Sequence, residues 1–214
     1  MALLNRALSL VVPPFCWACG DVAPCDEPLC RLCRAGLQWL DRMPVEVAGV
    51  EAWAPVAYEG PARAVVGALK FRGATGLAGP MAAQIVAGVP RGFLAPGTAL
   101  VPVPLTPSRA RKRGYNQAER LAAGIAARAE AQLLDCLVRR GPASARQVGR
   151  GRAERLRGIP GWVALRKGAR CPTDVALVDD VVTTGATLSA CATALRAGGA
   201  GRVVALAYAR TPGR

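Results

Sequence analysis

The chain has 214 residues, 52% of them apolar and 20% charged, which suits one main domain with a packed core and argues against extended disorder. Its 28 Lys+Arg against 14 Asp+Glu give a formal charge of +14, and the absence of histidine excludes His-based triads, His general bases and His metal ligands. Only 5% of residues are aromatic, poor material for a site built from rows of base-stacking platforms.

In chain order, residues 1–12 are mainly apolar with one charge, Arg6, and stop at Pro13-Pro14 with no small-residue cleavage site. They are predicted to form a short amphipathic helix rather than a cleaved signal. Residues 1–44 hold five of the eight cysteines. Cys16-Trp17-Ala18-Cys19 and Cys30-Arg31-Leu32-Cys33 are two CxxC pairs ten residues apart. Four thiolates close a tetrahedral Zn²⁺ site and leave no position for substrate, so the metal expected from Cys16, Cys19, Cys30 and Cys33 is structural. Cys25 is the odd one out and could replace a ligand. Cys136, Cys171 and Cys191 lie in apolar segments, where small buried thiols are the default. Retained thiol pairs fit a reducing cytoplasm. No apolar run reaches the ~20 residues that membrane insertion needs.

Residues 45–214 are predicted to form a second, larger domain. Residues 47–58 read as a strand, Gly60-Pro61 as a turn, 62–69 as a helix and 77–87 as another. A short apolar strand at 99–103 is followed by a helix at 117–130, a strand at 133–138 and an irregular arginine-rich stretch at 139–170. Strand 174–178, helix 187–197 and strand 202–208 complete the series. The alternation predicts an α/β fold with a parallel sheet flanked by helices. Ligands of such sheets bind beyond the carboxyl ends of the strands.

One string stands at such an end. Val175-Ala176-Leu177-Val178 reads as a strand buried on both faces. Asp179 and Asp180 follow it, then Val181, Val182, Thr183, Thr184, Gly185, Ala186 and Thr187, where a helix opens. Backbone N–H groups of such a loop converge at the positive end of a helix, threonine hydroxyls add donors, and glycine admits a ligand close to the backbone. The predicted result is a monophosphate cradle. Its two carboxylates, about one sugar length away, can accept hydrogen bonds from vicinal ribose hydroxyls and help hold a hydrated Mg²⁺.

The charge distribution supplies the other half of an anion site. Residues 104–170 carry 16 basic and four acidic side chains, against eight and seven in residues 1–103. Two arginine-rich segments offer planar forks for pyrophosphate. The first contains Arg109, Arg111 and Arg113 ahead of Gly114-Tyr115-Asn116-Gln117; the second runs from Arg139 to Arg157 and includes Arg150, Arg152 and Arg155. A long irregular stretch of that kind reads as a binding loop.

The string at 175–187 resembles the motif of type I phosphoribosyltransferases that binds phosphoribosyl pyrophosphate (PRPP). The resemblance implies that Asp179 and Asp180 hold the ribose 2- and 3-hydroxyls and that Thr183 to Thr187 bind the 5-phosphate. Purine-salvage members place an acid where Thr183 stands, which disfavours 6-oxopurine salvage here. Pro102-Val103-Pro104, the following basic residues and Arg113-Gly114-Tyr115-Asn116-Gln117-Ala118-Glu119 are similar to the ComF competence-protein family. Lys70-Phe71-Arg72-Gly73 resembles that family's Lys-aromatic-Arg-Gly element, and Gln147 with Arg152-Ala153-Glu154-Arg155 resembles its flexible loop. The resemblance covers nearly the whole chain, including an N-terminal zinc ribbon. It implies a PRPP-binding protein acting in DNA uptake during natural transformation, with a DNA-translocating helicase as partner and a transferase reaction whose acceptor the sequence does not name. A second reading, of another class, is a nucleic-acid-binding accessory without transferase activity. There the basic middle segment would track single-stranded DNA by counterion release, blind to sequence.

Overall fold

The computed structural model describes residues 15–24, 27–139 and 162–213. The helix expected at 1–12, Cys25, and the segment carrying Gln147, Arg152 and Arg155 lie outside the described residues. The elements are α1 (Arg31–Ala35), β1 (Val45–Val47), β2 (Val50–Trp53), β3 (Val56–Ala57), α2 (Gly60–Phe71), a 3₁₀ turn (Thr75–Leu77), α3 (Ala78–Gly88) and β4 (Ala99–Pro102). They continue with α4 (Pro107–Arg113), α5 (Gln117–Ala129), β5 (Leu137–Arg139), β6 (Val163–Leu165), β7 (Asp174–Val182), α6 (Ala186–Ala197) and β8 (Arg202–Arg210).

The main sheet has the order β1-β2-β8-β7-β4, with β3 continuing beside β8. Every pairing in it is parallel except the hairpin of β1 with β2. Period-two alternation along β7 sends Val175 and Leu177 to one face and Ala176 and Val178 to the other. On the second face α2, α3 and α5 cover the sheet through Val66, Leu69, Met81, Ile85 and Leu121. On the first face α6 packs with the small β5–β6 hairpin, through Leu188, Cys191, Leu195 and Leu137. The sheet is thus buried on both sides, the condition under which a parallel sheet is stable. Among the described residues no helix is long and apolar enough to cross a membrane.

Four features differ from the sequence expectation. The strand expected over 47–58 is broken by a two-residue turn at Ala48 (φ 52°) and Gly49 (φ 78°). Positive φ at both positions matches the twist of a tight hairpin. Helix α4 occupies what was expected to be loop. Thr106 Oγ1 caps it by accepting from the Arg109 N–H (3.3 Å), Pro107 starts it, and Gly114 in the left-handed conformation (φ 76°) ends it. The expected strand at 133–138 contributes only β5 and a single bridge from Leu133 to Leu100, while β6 lies within the stretch expected to be irregular. Finally, β7 runs past Val178 to Val182, because Val181 and Val182 continue the ladder with Ala209 and Arg210. The acid pair is therefore inside the strand rather than in the loop after it.

The N-terminal segment packs into the same core, which Cys16, Leu29, Cys30 and Leu37 share with α2 and α3. Residues 38–40 run beside β3, with Leu40 N–H bonded to Pro55 O and Ala57 N–H to Gln38 O, each at 2.8 Å.

Candidate functional site

A cavity of about 310 Å³ opens at the carboxyl end of β7. Its walls include Lys70 from α2, Pro104 and Leu105 from the β4–α4 loop, Arg109 and Arg113 from α4, Gln117 from α5, Arg139 from β5, and Asp179, Asp180, Val181, Thr183 and Thr187. Because successive strand residues point to opposite faces, the acids divide the work. Asp180, 1% exposed, lies on the side of α2, where Lys70 Nζ stands 2.8 Å from its Oδ1. Its Oδ2 is buried and finds no hydrogen-bond partner among the described residues. Asp179 belongs to the other side, near Arg139 and Cys191. Burial, and then the charge of Asp180, hold the Asp179 carboxyl well above the usual carboxylate range, against the N–H of Asp180 and the charge of Lys70. Asp180 buried and Asp179 half-buried, with one cation and an orphaned oxygen, form a set of hard oxygen donors.

The turn after β7 is tightly determined. Gly185 has φ +74°, and a Cβ placed there would stand 2.5 Å from Val47 Cγ1 and 2.9 Å from Ala48 Cβ. The hairpin of β1 and β2 thus closes over the turn, and only glycine fits. Thr183 and Thr187, on either side of the first residue of α6, face the cavity. Thr184, Gly185, Ala186 and Val182 do not line it; they form the frame.

The Arg113-to-Gln117 string builds the opposite wall, each residue by a different contact. Gly114 ends α4. The Tyr115 hydroxyl donates to Leu69 O, joining this wall to the end of α2. Asn116 Oδ1 accepts from Ala118 N–H (3.0 Å), capping α5, while its Nδ2 donates to Val103 O (3.1 Å). Gln117, buried, accepts from the Arg113 guanidinium through Oε1. Arg113 is thereby held at the cavity and also lies 5.5 Å from the Phe71 ring centre.

Of the basic residues expected at an anion site, Lys70, Arg109 and Arg113 line the cavity, whereas Arg72 and Arg111 do not. Arg72 turns to the cysteine segment, donating to Trp17 O at 2.8 Å with its guanidinium 5.2 Å from the Trp17 ring centre. The structure adds Arg139, whose Nε is buried without a partner among the described residues. Burial draws its guanidinium below the usual value, and Arg109 acts in the same direction. Its sequence signal was only membership of a long arginine run. Gln117 and Phe71 are further lining residues that no composition argument singles out.

The sulfurs of Cys16, Cys19, Cys30 and Cys33 all lie within 4.8 Å of one another, and the four can hold a metal ion such as zinc. Cys19 and Cys30 Sγ are 3.7 Å apart. A tetrahedron with Zn–S bonds of about 2.3 Å has edges of roughly 3.8 Å, so the thiols are spaced as ligands. A tight turn, with Gly20 N–H on Cys16 O (2.9 Å), presents the first pair, and Cys30 Sγ caps α1 by accepting from Cys33 N–H (3.5 Å). Burial opposes ionisation of Cys16, but N–H groups of Cys19, Cys30 and Ala18 outweigh it and bring the thiol down to about 6, whereas burial and the neighbouring thiols push Cys33 up. Compared with known proteins, the chain matches no family model and no curated protein.

Proposed function

We propose that the cavity at the end of β7 binds a phosphorylated pentose of the PRPP type with Mg²⁺, on a fold of the type I phosphoribosyltransferase kind, and that the N-terminal thiols hold a structural Zn²⁺. The observation that carries this reading is the meeting of an adjacent acid pair, one member buried, with a threonine turn and four cations, Lys70, Arg109, Arg113 and Arg139, around one cavity. The acids would accept the ribose hydroxyls, Thr183 and Thr187 would take the 5-phosphate, and the arginines would face the pyrophosphate. In transfer, an acceptor lone pair forms the new bond to the anomeric carbon. The bond from that carbon to pyrophosphate breaks, and pyrophosphate leaves with the electron pair. A bound Mg²⁺ would supply charge neutralisation. The chain's own residues hold the sugar in line and stabilise the departing charge from fixed positions. With the resemblance to ComF proteins, this chemistry belongs to the handling of imported DNA. Calorimetric titration with PRPP and Mg²⁺ tests the reading. Saturable binding that is abolished in Asp179→Asn with Asp180→Asn is expected, and absence of binding by the wild-type chain at millimolar PRPP overturns it.

A further inference from the structure

We infer that an apolar groove between the cysteine segment and the start of α3 is the seat of residues 1–12 of this chain. The groove shares no lining residue with the acid-pair cavity, so the inference stands apart from the sugar-phosphate reading. It measures about 280 Å³. Phe15, Trp17 and Pro28 line it from the cysteine segment, and Leu77 and Pro80 line it from the 3₁₀ turn and α3. Glu27 is the one charged residue in its lining among the described residues.

Phe15 is 48% exposed, and its ring centre lies 4.7 Å from that of Trp17. Trp17 is held from outside the groove by Arg72, which bonds its carbonyl at 2.8 Å and stands 5.2 Å from its ring centre. A single exposed ring needs no explanation, but two adjoining rings in a concave apolar groove mark a surface that something covers.

Residues 1–12 have both the chemistry and the tether to cover it. At helical spacing Leu3, Leu4, Ala7, Leu8 and Val11 share one side, and Asn5, Arg6 and Ser9 share the other. Isolated helices shorter than about 12–15 residues are marginal in water and depend on burying such a stripe. The stripe ends at Pro13-Pro14, and the next residue, Phe15, already lines the groove. Two extended prolines span only about 6 Å. A tether that short gives an effective concentration on the order of millimolar, which a second copy or another protein would have to outcompete. The charges agree. Arg6, the one charged side chain of the segment, borders the stripe, and the groove's one acid stands to receive it. The Glu27 carboxylate is paired with Arg34, yet its side chain stays 36% exposed and can accept a second donor.

The test is hydrogen exchange by mass spectrometry on the full chain at low micromolar concentration, reading the amides of residues 3–12. Light scattering gives the mass, and thermal melts confirm folding. In the wild type those amides should exchange at least about 10-fold slower than an unprotected chain. Leu4→Asp with Leu8→Asp alters the stripe, and Phe15→Asp with Pro80→Asp alters the groove at two partly exposed side chains. Each pair should abolish the protection, and Asn5→Asp on the polar side should leave it intact. Where melts show the double groove variant unfolded, Phe15→Ser alone gives the reading. Unprotected amides in the wild type, or protection that survives the groove changes, overturn the inference. Protection lost on dilution as the mass halves would assign the stripe to a second copy. Protection gained only with vesicles of anionic phospholipid would assign it to a membrane surface. Either result also overturns the inference.

Discussion

Replacing Lys70 by methionine is the sharpest test of how the acid pair is tolerated inside the protein. Lys70 Nζ lies 2.8 Å from Asp180, whose side chain is only 2% exposed, so the substitution leaves a desolvated carboxylate without its cation. Breaking a buried pair by removing one partner costs about 3–5 kcal/mol. For a chain of this size each kcal/mol lowers Tm by roughly 2–4 °C, so the expected loss is roughly 6–20 °C at pH 8. The loss must depend on pH. Asp179 is raised above its unfolded value, so the native state keeps a proton that the unfolded chain has released. Stability from that proton is complete below the unfolded carboxylate pKa of about 4 and is lost as pH rises through the folded value. Lys70 opposes the upward shift of Asp179, so its removal raises that carboxyl further and steepens the decline; the gap between Lys70→Met and wild type should be small at pH 5 and wide at pH 8. Melting curves by calorimetry across that range measure it. Adding Asp180→Asn to Lys70→Met should recover most of the loss, a coupling that a double-mutant cycle isolates. A gap that is the same at both pH values, or no recovery in the double variant, would refute the account.

Further outcomes follow from the packing and the thiols. Gly185→Ala combines left-handed strain of about 1 kcal/mol with overpacking against Val47 and Ala48 of about 1–3 kcal/mol, so its Tm should fall clearly below that of the wild type. Gly124→Ala should lose about 1–3 kcal/mol in denaturant unfolding, because its Cβ would lie 2.8 Å from Ala82 Cβ where α5 meets α3. Gly67→Ala, in the middle of α2 with open space around it, should gain about 0.5–1 kcal/mol in the same assay. Protein prepared without chelator should carry one zinc per chain by elemental analysis, and Cys30→Ser should lower both the metal content and Tm.

The alternation of strands and helices was legible because long apolar or amphipathic stretches set it. So was the place of the acid pair at the sheet's carboxyl end. The length of β7 was not legible. A sequence reading stops a buried strand at its first charge, whereas the partner that lets Asp180 stay inside, Lys70, lies more than a hundred residues earlier in the chain. Helix α4 was missed because it has no apolar stripe, although Thr106, Pro107 and Gly114 mark its ends. Arg139 resembled its neighbours in an arginine run, and only the β5–β6 pairing brings it to the cavity. In Lys70-Phe71-Arg72, one short string splits three ways: the lysine goes to the acid, the ring to the cavity wall and the arginine to the cysteine segment.

That division makes the end of α2 a lever with two loaded arms. One arm, Arg72, is gripped by the peptide between Cys16 and Cys19; the other, Lys70, reaches Asp180, the most deeply buried carboxylate among the described residues. The Trp17 carbonyl that holds Arg72 lies within the first CxxC pair, and Arg72 is two residues along the chain from the cation that faces Asp180. Within three residues the end of α2 thus touches both the thiol segment and Asp180, a carboxylate 1% exposed.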